Sequence, residues 1–82
     1  MTKYTIFSGP AGKWDLAVGL FNGEPVTFSA ENKGEVRIVP ISVEAENSAC
    51  EKWKITGRII GNSHEVCEIY YNTITRSGKI TF

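Results

Sequence analysis

The sequence predicts one all-β domain over residues 1–82, an antiparallel β-sandwich or small β-barrel of about seven strands. Three observations carry this expectation. Runs rich in Val, Ile, Thr, Tyr and Phe recur every 8–12 residues or so, with turn residues between them. Within the runs, apolar and polar side chains alternate at the period of a half-buried strand. The glycines are spread about one to a turn, and no segment keeps a convincing helical period.

Lys3 to Ser8 reads as a first strand, which Gly9-Pro10-Ala11-Gly12 ends, because Pro lacks the N–H that a ladder needs. Residues 14–21 and 24–31 then read as a hairpin around Asn22-Gly23, a strong short-range turn signal. Hydrophobic phase decides its register. A three-residue loop Phe21-Asn22-Gly23 pairs Trp14 with Ala30, Leu16 with Phe28 and Val18 with Val26, which makes one face apolar. That geometry wants Gly23 in the left-handed region. Glu31-Asn32-Lys33-Gly34 is the next turn.

Residues 35–45 are strongly β, but their phase changes at Pro40. Val36 and Ile38 mark one parity, and Val39, Ile41, Val43 and Ala45 the other, so a bulge or a change of sheet is expected there. The segment 45–52 is the least strand-like and admits one short helical turn, with Ala45, Ala49 and Trp53 at helical spacing. Residues 52–60 alternate, placing Trp53, Ile55 and Ile59 inward and Lys54, Thr56 and Arg58 outward. Gly61-Asn62-Ser63-His64 is a turn, and 65–75 is a strand with Cys67, Ile69 and Tyr71 on its apolar parity. A last loop with Gly78 at a bulge pairs Ile74 with Ile80.

The chain has nine basic and nine acidic residues, so bulk charge does not drive it onto nucleic acid or acidic membranes. Residues 1–47 hold four basic and six acidic side chains (net −2), and residues 48–82 hold five and three (net +2). No apolar run approaches the ~20 residues of a membrane helix. The N-terminus has no basic start followed by an apolar stretch, which favours the cytoplasm, with a secreted mature chain as the alternative. Cys50 and Cys67 lack metal-site or redox spacing, and two buried thiols are the default reading.

Catalytic groups are scarce. His64 is the only histidine and Asp15 the only aspartate. Cys67 with His64 is the best nucleophile pair on offer, but Cys67 sits on the apolar parity, so the chain is read as non-enzymatic. Glu44, Glu46, Asn47 and Glu51 lack the fixed spacing of a calcium loop, and no metal or other cofactor is expected.

Binding is the better class. Tyr70 and Tyr71 are adjacent on one strand and must face opposite ways, and Phe7 and Phe21 oppose their apolar neighbours in phase. With Lys54, Arg58 and Arg76 they form the candidate contact set, because exposed aromatics beside cations typify interface hot spots. The expected function is a protein–protein interaction module, a small inhibitor or effector, that uses an exposed aromatic sheet face or a free sheet edge. The alternatives are nucleic-acid or carbohydrate binding on an OB-like barrel or sandwich.

Overall fold

The computed structural model describes residues 3–9, 12–61 and 65–82. Six strands run in chain order around a closed barrel: β1 (Lys3–Ser8), β2 (Val26–Ala30), β3 (Gly34–Ala45), β4 (Lys52–Ile59), β5 (Val66–Asn72) and β6 (Ser77–Thr81). Helix α1 (Lys13–Asn22) lies between β1 and β2. Neighbours are antiparallel all the way round, including β1 with β6. An up-and-down barrel closes antiparallel only with an even number of strands, so six replaces the expected seven. Closure also removes the free edge proposed at the terminal strands, because β1 and β6 pair with each other.

The largest correction concerns residues 14–21, which are helical. Leu16 and Leu20 stand one helical turn apart and face the barrel; Leu16 is fully buried and Leu20 packs against the core. Gly23 is left-handed as expected, with φ 69°, but it caps a helix. Glu24 N–H donates to Gly19 O at 3.0 Å and Gly23 N–H to Leu20 O at 3.3 Å, the bond pair of a Schellman cap, and Pro25 prevents continuation. Val26 and Phe28 therefore meet Ile38 and Val36 of β3, and the expected partners Val18 and Leu16 lie on the helix.

The bulge near Pro40 is present. Pro40 pairs with Gly57 and Ser42 with Thr56, which leaves Ile41 as the extra residue of β3, exposed and outside the expected inward set. Residues 46–51 form a loop and not a helical turn. Glu51 N–H, which a helix would give to the Asn47 carbonyl, instead reaches Asn47 Oδ1 at 3.0 Å, and Lys52 N–H shares that oxygen at 3.2 Å. Cys50 follows in the left-handed region with φ 56°. Thr73, which is buried, ties this loop to the β5–β6 connection by donating its N–H and hydroxyl to Glu51 O at 2.8 and 2.9 Å.

The β5–β6 loop differs from its expected form too. Asn72 pairs with Ser77, and Ile69, not Ile74, faces Ile80. Arg76 takes the left-handed position with φ 56°, while Asn72 Oδ1 accepts the N–H groups of Ile74 and Thr75 at 2.9 and 3.2 Å. Gly78 lies inside β6.

The barrel is filled by its inward side chains, among them Ile6, Phe28, Val36, Ile38, Ile55, Cys67, Ile69, Tyr71 and Ile80. One end is closed by α1. At the other, Tyr4 and Phe82 pack edge to face at 5.3 Å, and Lys33 Nζ lies 4.4 Å from the centre of the Phe82 ring.

Candidate functional site

Strand pairing assembles a defined row on the outside of the barrel. Glu44, Lys54, Tyr70, Lys79 and Thr5 are successive cross-strand partners from β3 through β4, β5 and β6 to β1. Side chains opposed on one face sit about 4.5–5.5 Å apart at Cβ, so Tyr70 has a lysine on each side. Lys54 Nζ lies 5.9 Å from its ring centre. The row toward the α1 end is Lys52, Asn72 and Ser77; the row on the other side is Ser42, Thr56, Glu68, Thr81 and Lys3. Arg58 lies beyond it, opposite Val66. The outward positions of β4, β5 and β6 thus carry Lys52, Lys54, Arg58 and Lys79 against the single carboxylate Glu68. The chain is neutral, so this face is a local excess of positive charge.

A second surface lies at the end closed by α1. Trp14 and Val18 stand one helical turn apart on the side of α1 away from Leu16, and both are exposed. Among the described side chains, the four most exposed large apolar ones, Trp14 (77 %), Ile74 (67 %), Phe7 (64 %) and Ile41 (57 %), all belong to this end. Phe7 lies at the close of β1, Ile74 in the β5–β6 loop, and Ile41 at the β3 bulge. A groove of about 270 Å³ runs between α1 and β3, lined by Ala17, Leu20, Pro40, Ile41, Val43 and Trp53. Trp14 departs from the expected inward, strand-paired position because the helix turns it to solvent.

The predicted contact residues divide between these places. Tyr70, Lys54 and Arg58 share the outward sheet face, and Phe7 is exposed near the α1 end. Tyr71 is not available: it is buried, and its ring packs on Phe28 at 5.1 Å. Arg76 is engaged within the fold, donating to Gly9 O at 2.8 Å. Burial raises the Tyr71 hydroxyl above its ordinary pKa, and the neighbouring Arg76 opposes part of that rise. Phe21 belongs to α1, but its side chain is outside the described ones, and His64 lies outside the described residues. Trp14, Ile41, Ile74 and Lys79 are additions that strand-parity reasoning missed.

Cys50 and Cys67 are free thiols, and only Cys67 is buried; Cys50 is partly exposed. The Cys67 thiol contacts Gly57 O at 3.6 Å, and burial pushes its pKa from 9.0 up to about 11. It is therefore a neutral thiol near neutral pH and a poor nucleophile. Because the folded pKa is the higher one, this burial contributes its full stability below pH 9.0 and loses it as pH rises toward about 11. The loss reaches about 1.4 kcal/mol per pH unit at most. Urea midpoints across that window should fall more steeply for the parent than for Cys67→Ala; parallel profiles would contradict the assignment.

Among the described residues, no group of three or more His, Cys, Asp or Glu could hold a metal ion. No described helix is long and apolar enough to cross a membrane. No protein-family model, curated protein or solved structure matches the chain.

Proposed function

We propose that the chain is a non-enzymatic protein-binding domain that docks through the barrel end closed by α1. The observation that carries this reading is the gathering of Trp14, Ile74, Phe7 and Ile41 at one end of the molecule. Single exposed apolar residues are ordinary, but several at one end of a small domain mark a contact surface. Trp is also the residue type most enriched among interface hot spots. The helix supports the same reading, since it is apolar toward the core and apolar again toward solvent. Cys67, the buried thiol, is held neutral, which favours binding over covalent chemistry. The partner is a protein offering apolar recesses to Trp14 and Ile74. Docking by strand addition is not part of this reading, because every strand of the closed barrel already has a neighbour on both sides.

The experiment is quantitative capture from source-cell lysate with the parent and a Trp14→Ala, Ile74→Ala double variant, alongside sedimentation velocity and liposome co-sedimentation. Both side chains are largely exposed, so the variant should keep the parent's melting temperature while losing a defined set of captured proteins by about tenfold or more. Identical capture by the two proteins would overturn the proposal. So would co-sedimentation with liposomes that the double variant abolishes, since the apolar end would then be a lipid contact.

A further inference from the structure

The Tyr70 face lies outside the apolar end and calls for a different ligand. We propose that the outward surface of β4, β5 and β6 binds single-stranded nucleic acid, with Tyr70 stacking on a base and Lys52, Lys54 and Lys79 meeting phosphates. The row Lys54–Tyr70–Lys79 places a half-exposed aromatic ring between two cations on adjacent strands. The next row adds Lys52, Asn72 and Ser77, a cation and two groups able to donate to phosphate or base. Among the described residues no ion pair engages Lys52, Lys54 or Lys79, and Lys54, which stands opposite Glu44, lies 5.9 Å from the centre of the Tyr70 ring.

The ring decides between polyanions. An acidic peptide would satisfy the lysines and leave the face of Tyr70 uncovered, whereas a base covers the ring while its own phosphates meet the flanking cations. Duplex is disfavoured, because stacking on Tyr70 needs an unpaired base and the face offers neither a protruding helix nor a ribbon to enter a groove. Glu68 fixes the path. It lies between Thr56 and Thr81 in the row away from α1, and Glu44 of β3 stands opposite Lys54 at the end of the Tyr70 row, so the backbone runs along the two lysine-bearing rows over β4, β5 and β6 and stops short of β3.

The test is fluorescence anisotropy of a labelled oligothymidylate of about twelve nucleotides, a length within the footprint of a small barrel. Titrations at several salt concentrations compare the parent with four variants. With three or four phosphates engaged, log K should fall against log salt with a slope of roughly −2 to −3. Tyr70→Ala should weaken binding about tenfold or more. The Lys54→Gln, Lys79→Gln pair should shallow the slope by about 1.4. Glu68→Gln should tighten binding, a gain that misfolding cannot imitate. Arg37→Gln on the β2–β3 side should change nothing. No salt-dependent binding by the parent would overturn the proposal. Displacement by polyglutamate together with full binding by Tyr70→Ala would also overturn it and make the face a docking site for acidic protein. Because Trp14 and Ile74 are untouched here, failure of this site and failure of the apolar end are separately visible.

Discussion

Phe28→Ala should remove about 3–5 kcal/mol of stability, the range for deleting a buried phenyl ring from a packed core. Phe28 is fully enclosed at the centre of the barrel, its ring edge to face with Tyr71 at 5.1 Å and an interplanar angle of 68°. The backbone crosses directly over it at Gly9, where an added Cβ would lie 2.8 Å from Phe28 Cδ1. The cavity left by truncation cannot collapse easily. The wall on one side is β2 itself, hydrogen-bonded to β1 and β3, and on the other is Tyr71, whose strand is paired with β4 and β6. A domain of this size holds about 4–12 kcal/mol in total, so the variant loses about a quarter of its stability at the least. Urea denaturation should show a lowered midpoint with an unchanged slope, and Phe28→Leu should recover much of the loss. A midpoint equivalent to less than about 1 kcal/mol below the parent would mean that Phe28 is not at the centre of the core.

Much of this core is legible in the sequence. The alternation of Cys67, Ile69 and Tyr71 places them inward, and the break in parity at Pro40 marks a bulge that the β3–β4 pairing contains. Strand parity is reliable there because each strand has one face on the core and one in solvent. Residues 14–21 fail for a physical reason. Trp14, Leu16, Val18 and Leu20 satisfy a period of two, while Leu16 with Leu20, and Trp14 with Ala17, Val18 and Phe21, satisfy a helical period equally well. The left-handed Gly23 serves a bulged hairpin and a Schellman cap equally well. The deciding signals lie outside the alternation: Asp15 in the first turn, favourable at a helix N-terminus, and Pro25 two residues beyond the cap glycine.

The contact surfaces are legible to the same depth. Adjacency of Tyr70 and Tyr71 requires one to be exposed, and parity with Cys67 and Ile69 assigns that role to Tyr70. Parity also puts Lys54 and Arg58 outward. The sequence does not show that Lys79 faces Tyr70, because the left-handed residue of the last loop is Arg76, a position where glycine would be expected. Trp14 was missed with the helix, since reading the segment as a strand turns the indole inward, while the helical period turns it out. Both omissions arise from turn chemistry and not from hydrophobic pattern.

Gly78 follows from that shift in register, and Gly78→Ala should be among the most damaging single-methyl additions in the chain. Gly78 faces inward between Tyr71 of β5 and Ile6 of β1. A Cβ there would run into the carbonyl oxygen of Tyr70 and lie 2.9 Å from Tyr71 Cα. Those atoms are backbone, so no rotamer change relieves the overlap; β5 and β6 would have to separate. Gly57 is the natural comparison, because its Cβ would overlap chiefly the Cγ2 methyl of Ile38, a buried β-branched side chain that moves only with its packing neighbours but still more readily than backbone, while the backbone oxygen of Val39 stands 3.1 Å away. Ordinary overpacking costs about 1–3 kcal/mol, and the Gly78 variant should lie at or above the top of that range, with Gly57→Ala below it. In a domain of this length a loss of about 3 kcal/mol lowers the melting temperature by roughly 12–24 °C. The change should also reach the outer surface. Separating β5 from β6 moves Lys79 away from Tyr70, so any Gly78→Ala protein that still folds should bind oligothymidylate more weakly than its melting curve alone would imply. Melting within about 4 °C of the parent, with unchanged affinity, would show that the β5–β6 register is wrong and that the Lys54–Tyr70–Lys79 row does not exist as drawn.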